Sequence, residues 1–134
     1  MKQTNTQKIF ANSAPYTNSC QGPAKRLVFV CSVGMLRSPT AAAIATAMGY
    51  NARSCGSDVD IALIPLSVNL INWADYIIFM KRENYNKSLK TFTPVGYDQD
   101  IIDKSLIFDI DDHYNYGDDY LKKIIADKLN NLKL

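Results

Sequence analysis

The reading of this chain turns on Arg26-Leu27-Val28-Phe29-Val30-Cys31-Ser32-Val33-Gly34-Met35-Leu36-Arg37-Ser38-Pro39-Thr40. Its first five residues form a short apolar run with β-branched members, the pattern of a buried strand. Pro39 stands where a first helical turn tolerates proline. Ala41 to Met48 then continue in good helix formers, and Gly49 ends the helix. Cys31 and Arg37 lie between strand and helix, with five residues between them and the hydroxyl residue Ser38 directly after.

Five intervening residues, Ser32, Val33, Gly34, Met35 and Leu36, are enough to wrap a loop whose backbone N–H groups point at one tetrahedral anion. The helix N-terminus beyond adds positive potential. Arg37 offers a planar fork to two oxygens of a phosphate group. A thiol in such a field ionises more readily than a free one, and Ser38 is placed either to donate to the thiolate or to cap the helix. A Cys31 thiolate would attack phosphorus in line, giving a phosphocysteine that water hydrolyses. The spacing alone is cheap. Cys20 and Arg26 share it, but Pro23 interrupts that pair, no strand precedes it and no helix N-terminus follows.

Outward from this stretch, Asn51 to Cys55 reads as a second strand ended by Gly56. Pro65 is read as opening a helix through Trp73, and Asp75 to Met80 as a third strand. Arg82 to Lys90 reads as a polar surface helix with Lys81, Arg82 and Lys87 solvated. Thr91 to Asp100, holding Pro94 and Gly96, reads as a loop, and Ser105 to Ile110 as a fourth strand. Leu121, Ile124, Ile125 and Leu129 recur at helical spacing, so the chain closes on an amphipathic helix. Strands alternating with helices predict an α/β domain: an open four-stranded parallel sheet with helices on both faces, a three-layer flavodoxin-like or Rossmann-like arrangement. Ligands of such sheets bind beyond the carboxyl ends of the strands. Cys31 and Asp112 both fall there, after the first and fourth strands.

The 134 residues suffice for one domain, with 47% apolar and 21% charged residues and a net charge of +2. That balance gives no reason to expect nucleic acid or a membrane as partner, and no apolar run is long enough to span a bilayer. Residues 1–24 are polar and Pro-containing, which predicts a flexible leader before a domain at 25–134 and no secretory signal. Cys20, Cys31 and Cys55 are an odd number without metal-ligand spacing, so reduced thiols, a cytoplasmic location and neither metal nor cofactor are expected.

Val28-Phe29-Val30-Cys31 through Arg37-Ser38-Pro39-Thr40-Ala41 resembles the signature of low-molecular-weight protein tyrosine phosphatases, in particular their short prokaryotic branch. Arg53-Ser54-Cys55-Gly56, Trp73-Ala74-Asp75 leading into Ile77-Ile78-Phe79-Met80, and Asp109-Ile110-Asp111-Asp112-His113-Tyr114 resemble further segments, so the similarity runs from about Lys25 to the C-terminus. The resemblance implies hydrolysis of a phosphotyrosine protein or a small aryl phosphate ester without metal. It implies Asp112 as the general acid that protonates the leaving oxygen and later activates water. It also implies Tyr114 at the mouth of the pocket. The chain departs from the pattern in three places. Asp111 replaces a proline and competes with Asp112 for the acid role, with Asp109 a third candidate. Gly34 replaces an asparagine, which keeps the loop's backbone freedom but removes side-chain hydrogen bonds, so a softer loop and slower turnover are expected. Ala42 replaces a common glutamate, a change expected at the surface.

His113 is assigned no role, and Cys55 is expected to pack rather than react. Two other functions fit the same loop: a phosphate- or phosphopeptide-binding module with little turnover, and an arsenate reductase. The latter needs further cysteines, and none follows Cys55.

Overall fold

The computed structural model describes residues 24–33, 37–110, 118–132 and 134. The expected leader, apart from Ala24, lies outside the described residues. Four strands, β1 (Arg26–Cys31), β2 (Asn51–Gly56), β3 (Tyr76–Phe79) and β4 (Ser105–Ile107), form one sheet in the order β2-β1-β3-β4. All three pairings are parallel. Parallel neighbours need crossover connections, and helices α1 (Arg37–Ala47), α2 (Val68–Trp73), α3 (Arg82–Phe92), α4 (Asp98–Lys104) and α5 (Asp119–Leu132) cover the sheet.

Strand β1 lies between β2 and β3 and is buried on both faces from Leu27 to Cys31. That is why it reads as a continuous apolar run and not as an alternation. Leu27, Phe29 and Cys31 face a core closed by Ala41 and Ala45 of α1 and Leu121, Ile125 and Leu129 of α5. Val28 and Val30 face the opposite core, closed by Leu70, Ile71, Trp73, Phe92 and Ile101. The open parallel sheet with helices on both faces is the architecture expected from the sequence.

The boundaries differ in instructive places. Pro65 does not open α2. It pairs with Gly56 in an isolated bridge, and Ser67 caps the helix, its Oγ accepting from the Leu70 N–H at 3.2 Å. The stretch read as a loop contains the end of α3, a 3-10 turn at Thr93–Val95 and the start of α4. Asp98 and Asp100 in its first turn and Lys104 in its last suit the helix dipole. Strand β4 stops at Ile107, although Phe108 and Ile110 still donate to the carbonyls of Phe79 and Met80 at 2.9 and 2.6 Å. Asp109 between them sits at φ 58°, in the left-handed region, and breaks the pleat. Ala42 is half-buried against the α1/α5 core, not fully at the surface.

Candidate active site

Strand β1 ends at Cys31 and α1 begins at Arg37, so both residues occupy the carboxyl end of the sheet, beside a helix N-terminus. Cys31 Sγ and Ser38 Oγ lie 3.0 Å apart, both buried. Ser38 Oγ also lies 3.3 Å from the Cys55 carbonyl, to which it donates. A serine has one proton to give. The carbonyl and the sulfur both lie within its reach. The Ser38 hydroxyl thus reaches Cys31 from the second position of α1.

Arg37 is only 4% exposed, and its Nη1 donates to the Ile110 carbonyl at 2.7 Å. This bond ties the start of α1 to the chain two residues before Asp112. A buried guanidinium at a helix N-terminus adds charge where the helix field is already positive, and a bound anion would complement both.

The loop's entry is stitched to the segment after β2. Ser57 and Asp58 N–H groups donate to the carbonyls of Cys31 and Ser32, each at 2.8 Å, and Leu63 N–H donates to Val33 at 3.4 Å. Gly56 permits this approach, since a Cβ there would stand 2.8 Å from the Ser32 carbonyl oxygen and 2.6 Å from the Ala62 Cβ. The same segment carries Ile61, Leu63 and Ile64, exposed at 71, 76 and 55%. Of these residues, Leu63 is tied through its backbone to the loop's entry at Val33.

Cys55 stands on the opposite face of the sheet from Cys31. Burial, with the nearby Cys31 charge adding, pushes its thiol far up, so it packs rather than reacts. Gly34, Met35 and Leu36 of the loop, and Asp111, Asp112, His113 and Tyr114, lie outside the described residues. Among the described residues no cluster of His, Cys, Asp or Glu is arranged to hold a metal, and no helix is long and apolar enough to cross a membrane.

Sequence reasoning missed Asn84, which is buried at 3% exposure near the start of α3 and reaches the loop. The signal was present. Tyr85, Leu89 and Phe92 form an inward stripe, and Asn84 and Ser88 share that face, so the helix read as wholly polar has a buried side.

No protein-family model matches the chain, and no curated protein matches it. Solved structures do. The tyrosine phosphatase Wzb from Escherichia coli K30, determined with phosphate, superposes with a TM-score of 0.62 at 16% identity, covering 83% of this chain and 99% of its own. A low molecular weight protein tyrosine phosphatase from T. tengcongensis superposes with a TM-score of 0.56 at 23% identity, covering 83% and 100%. The fold is that of the low molecular weight protein tyrosine phosphatases. A mutant of the arginine phosphatase YwlE, bearing a phosphorylated active-site serine in place of cysteine, also superposes, with a TM-score of 0.56 at 21% identity and coverage of 81% and 95%. The one fold therefore carries phosphatases named for two different phosphorylated residues.

Proposed function

We propose that this chain is a cysteine-dependent phosphatase in which Cys31 is the nucleophile, Arg37 holds the phosphate and Asp112 is the general acid. The observation that carries the reading is the buried Cys31–Ser38 pair at 3.0 Å, with Arg37 buried at the first position of the helix beyond it. The Cys31 thiolate attacks phosphorus as the bond to the leaving oxygen breaks, and Asp112 delivers a proton to that oxygen. Water, deprotonated by Asp112, then attacks the phosphocysteine, breaks the S–P bond and releases inorganic phosphate. The backbone N–H groups of residues 32–36 and the Arg37 fork stabilise charge on the three non-bridging oxygens throughout. The phosphorylated serine in the YwlE mutant supports a covalent phosphoenzyme on this fold.

Phosphotyrosine is the preferred substrate in this proposal. Ile61, Leu63 and Ile64 are exposed aliphatic residues on the segment hydrogen-bonded to the loop's entry, which suits an aromatic leaving group or an apolar peptide. Tyr114 would add an aromatic wall. A second reading, phosphoarginine as substrate, is favoured by the YwlE likeness. The test is turnover of an aryl phosphate, a phosphotyrosine peptide and a phosphoarginine peptide by the wild type and Cys31→Ser. Preferential release of phosphate from the first two, lost in Cys31→Ser, is the expected result. Preference for phosphoarginine would move the substrate assignment, and equal hydrolysis by Cys31→Ser would overturn the mechanism.

A further inference from the structure

We propose that Asn84 is the positioning residue of the phosphate loop, doing through Ser32 and Ser57 what the loop's own Gly34 cannot do for want of a side chain. The Asn84 Oδ1 accepts from the backbone N–H of Lys81 at 3.1 Å. A backbone N–H only donates, so this bond fixes which way the amide faces. The Asn84 Nδ2 therefore points at the loop, where its two protons go to Ser32 Oγ at 3.2 Å and Ser57 Oγ at 3.3 Å. Both donors of the amide are used. Each serine, having accepted, keeps its own proton for another acceptor.

Ser32 is the first residue after Cys31, and Ser57 is bonded through its own N–H to the Cys31 carbonyl. One buried amide thus joins the residue after the nucleophile to the residue that bonds the nucleophile's carbonyl, gripping the chain at two points where it leaves Cys31. It is anchored in turn to α3, whose backbone at Asn84 accepts from the Ser88 hydroxyl at 2.8 Å. A fixed amide here sets the spacing between the loop's entry and the segment after β2, and so the direction of the N–H groups that follow. A buried donor of this kind is costly to leave unmade, which makes the arrangement all-or-none.

The effect on catalysis rests on the phosphatase reading, whereas the effect on the loop does not. Amide hydrogen exchange over residues 31–38 is compared in the wild type, Asn84→Ala, Ser32→Ala and the double variant. Exchange about tenfold faster in this segment of Asn84→Ala, with β3 and α5 unchanged, is expected. Unchanged exchange in the segment, or faster exchange spread evenly over the whole fold, would overturn the proposal. With an aryl phosphate, Asn84→Ala should lower kcat about tenfold and move KM less than threefold, and the double variant should lose no more than Asn84→Ala alone. Losses that multiply fully would show the two residues act independently, against the proposal. Ser57→Ala, which keeps the Asn84 anchor on α3, should give a smaller change in the same segment, and it stands in should Asn84→Ala fail to fold. If its exchange there matches the wild type, the two-point grip on the chain leaving Cys31 is refuted. Failure of the wild type to hydrolyse any phosphate ester would refute the phosphatase reading and leave the exchange result to decide the role of Asn84.

Discussion

The two ends of this parallel sheet are held by different chemistry. At the amino end, Asp75 accepts from the Arg26 backbone N–H at 2.9 Å and pairs with its guanidinium at 3.5 Å, and Lys104 Nζ donates to the Ile71 carbonyl at 2.8 Å. Arg53 lies 4.2 Å from the centre of the Trp73 ring and Arg26 5.9 Å. The charged groups among these are partly exposed. At the carboxyl end the polar groups, all buried but the half-buried Ser32, are interlocked: Cys31 with Ser38, Arg37 with Ile110, Asn84 with Ser32 and Ser57. The amino end ties strands together through contacts that water weakens. The carboxyl end carries Cys31 and Arg37, the residues proposed above to engage a phosphate group, an arrangement that in this proposal serves binding before stability.

If this division is right, substitutions at the two ends should separate activity from stability. The largest loss is expected at the acid. Asp112→Asn should lower kcat about 100- to 10,000-fold while binding of inorganic phosphate persists, because only proton transfer is removed. Steady-state kinetics with phosphate as competitive inhibitor reads both, and the same variant of Asp111 should cost far less. Arg37→Lys comes next, with a fall in kcat/KM of about 100- to 1,000-fold, since a lysine cannot present the planar fork. Its stabilisation by phosphate in thermal unfolding should shrink in parallel. Ser38→Ala should slow turnover roughly tenfold, about 1.4 kcal/mol of barrier, by removing the donor to the thiolate.

The smallest effect belongs to the amino end. Burial opposes ionisation of Asp75, but the hydrogen bonds from Arg26 and the Arg26 and Lys25 charges hold its carboxyl below the usual range. A depressed carboxyl stabilises the fold above its unfolded pKa and ceases to do so as pH falls through its folded value. Asp75→Asn should therefore cost roughly 0.5–1 kcal/mol near neutral pH and nothing in acid, with turnover unchanged. Denaturant titrations at the two pH values check this. A loss of activity in Asp75→Asn would blur the distinction between the ends.

Much of this was legible in the sequence, and the reasons are local. The run before Cys31 is apolar because β1 is covered on both faces, and the Pro39 and alanine pattern marks α1 whatever surrounds it. Helix α4 was hidden because Pro94 and Gly96 punctuate the stretch and only Ile101 of its seven residues is buried. Pro65 misled for a similar reason: its neighbour Ser67, with a hydrogen bond to Leu70, is the true cap. Asn84 was invisible because its role depends on residues 52 and 27 positions away, brought together by the topology. The charged amino end was equally silent, since Arg26 and Asp75 meet across 49 residues. Asp112 and Tyr114 lie outside the described residues, so their assignment rests on the sequence pattern.

The central claim is that Cys31 becomes covalently phosphorylated. Rapid acid quench of the wild type turning over an aryl phosphate, followed by peptide mass spectrometry, tests it most directly. The account predicts one phosphoryl group on the peptide bearing Cys31, accumulating further in Asp112→Asn where hydrolysis of the intermediate is slowed, and absent from Cys31→Ala. Turnover with no phosphoryl group on Cys31 in either the wild type or Asp112→Asn, or undiminished turnover by Cys31→Ala, would contradict it.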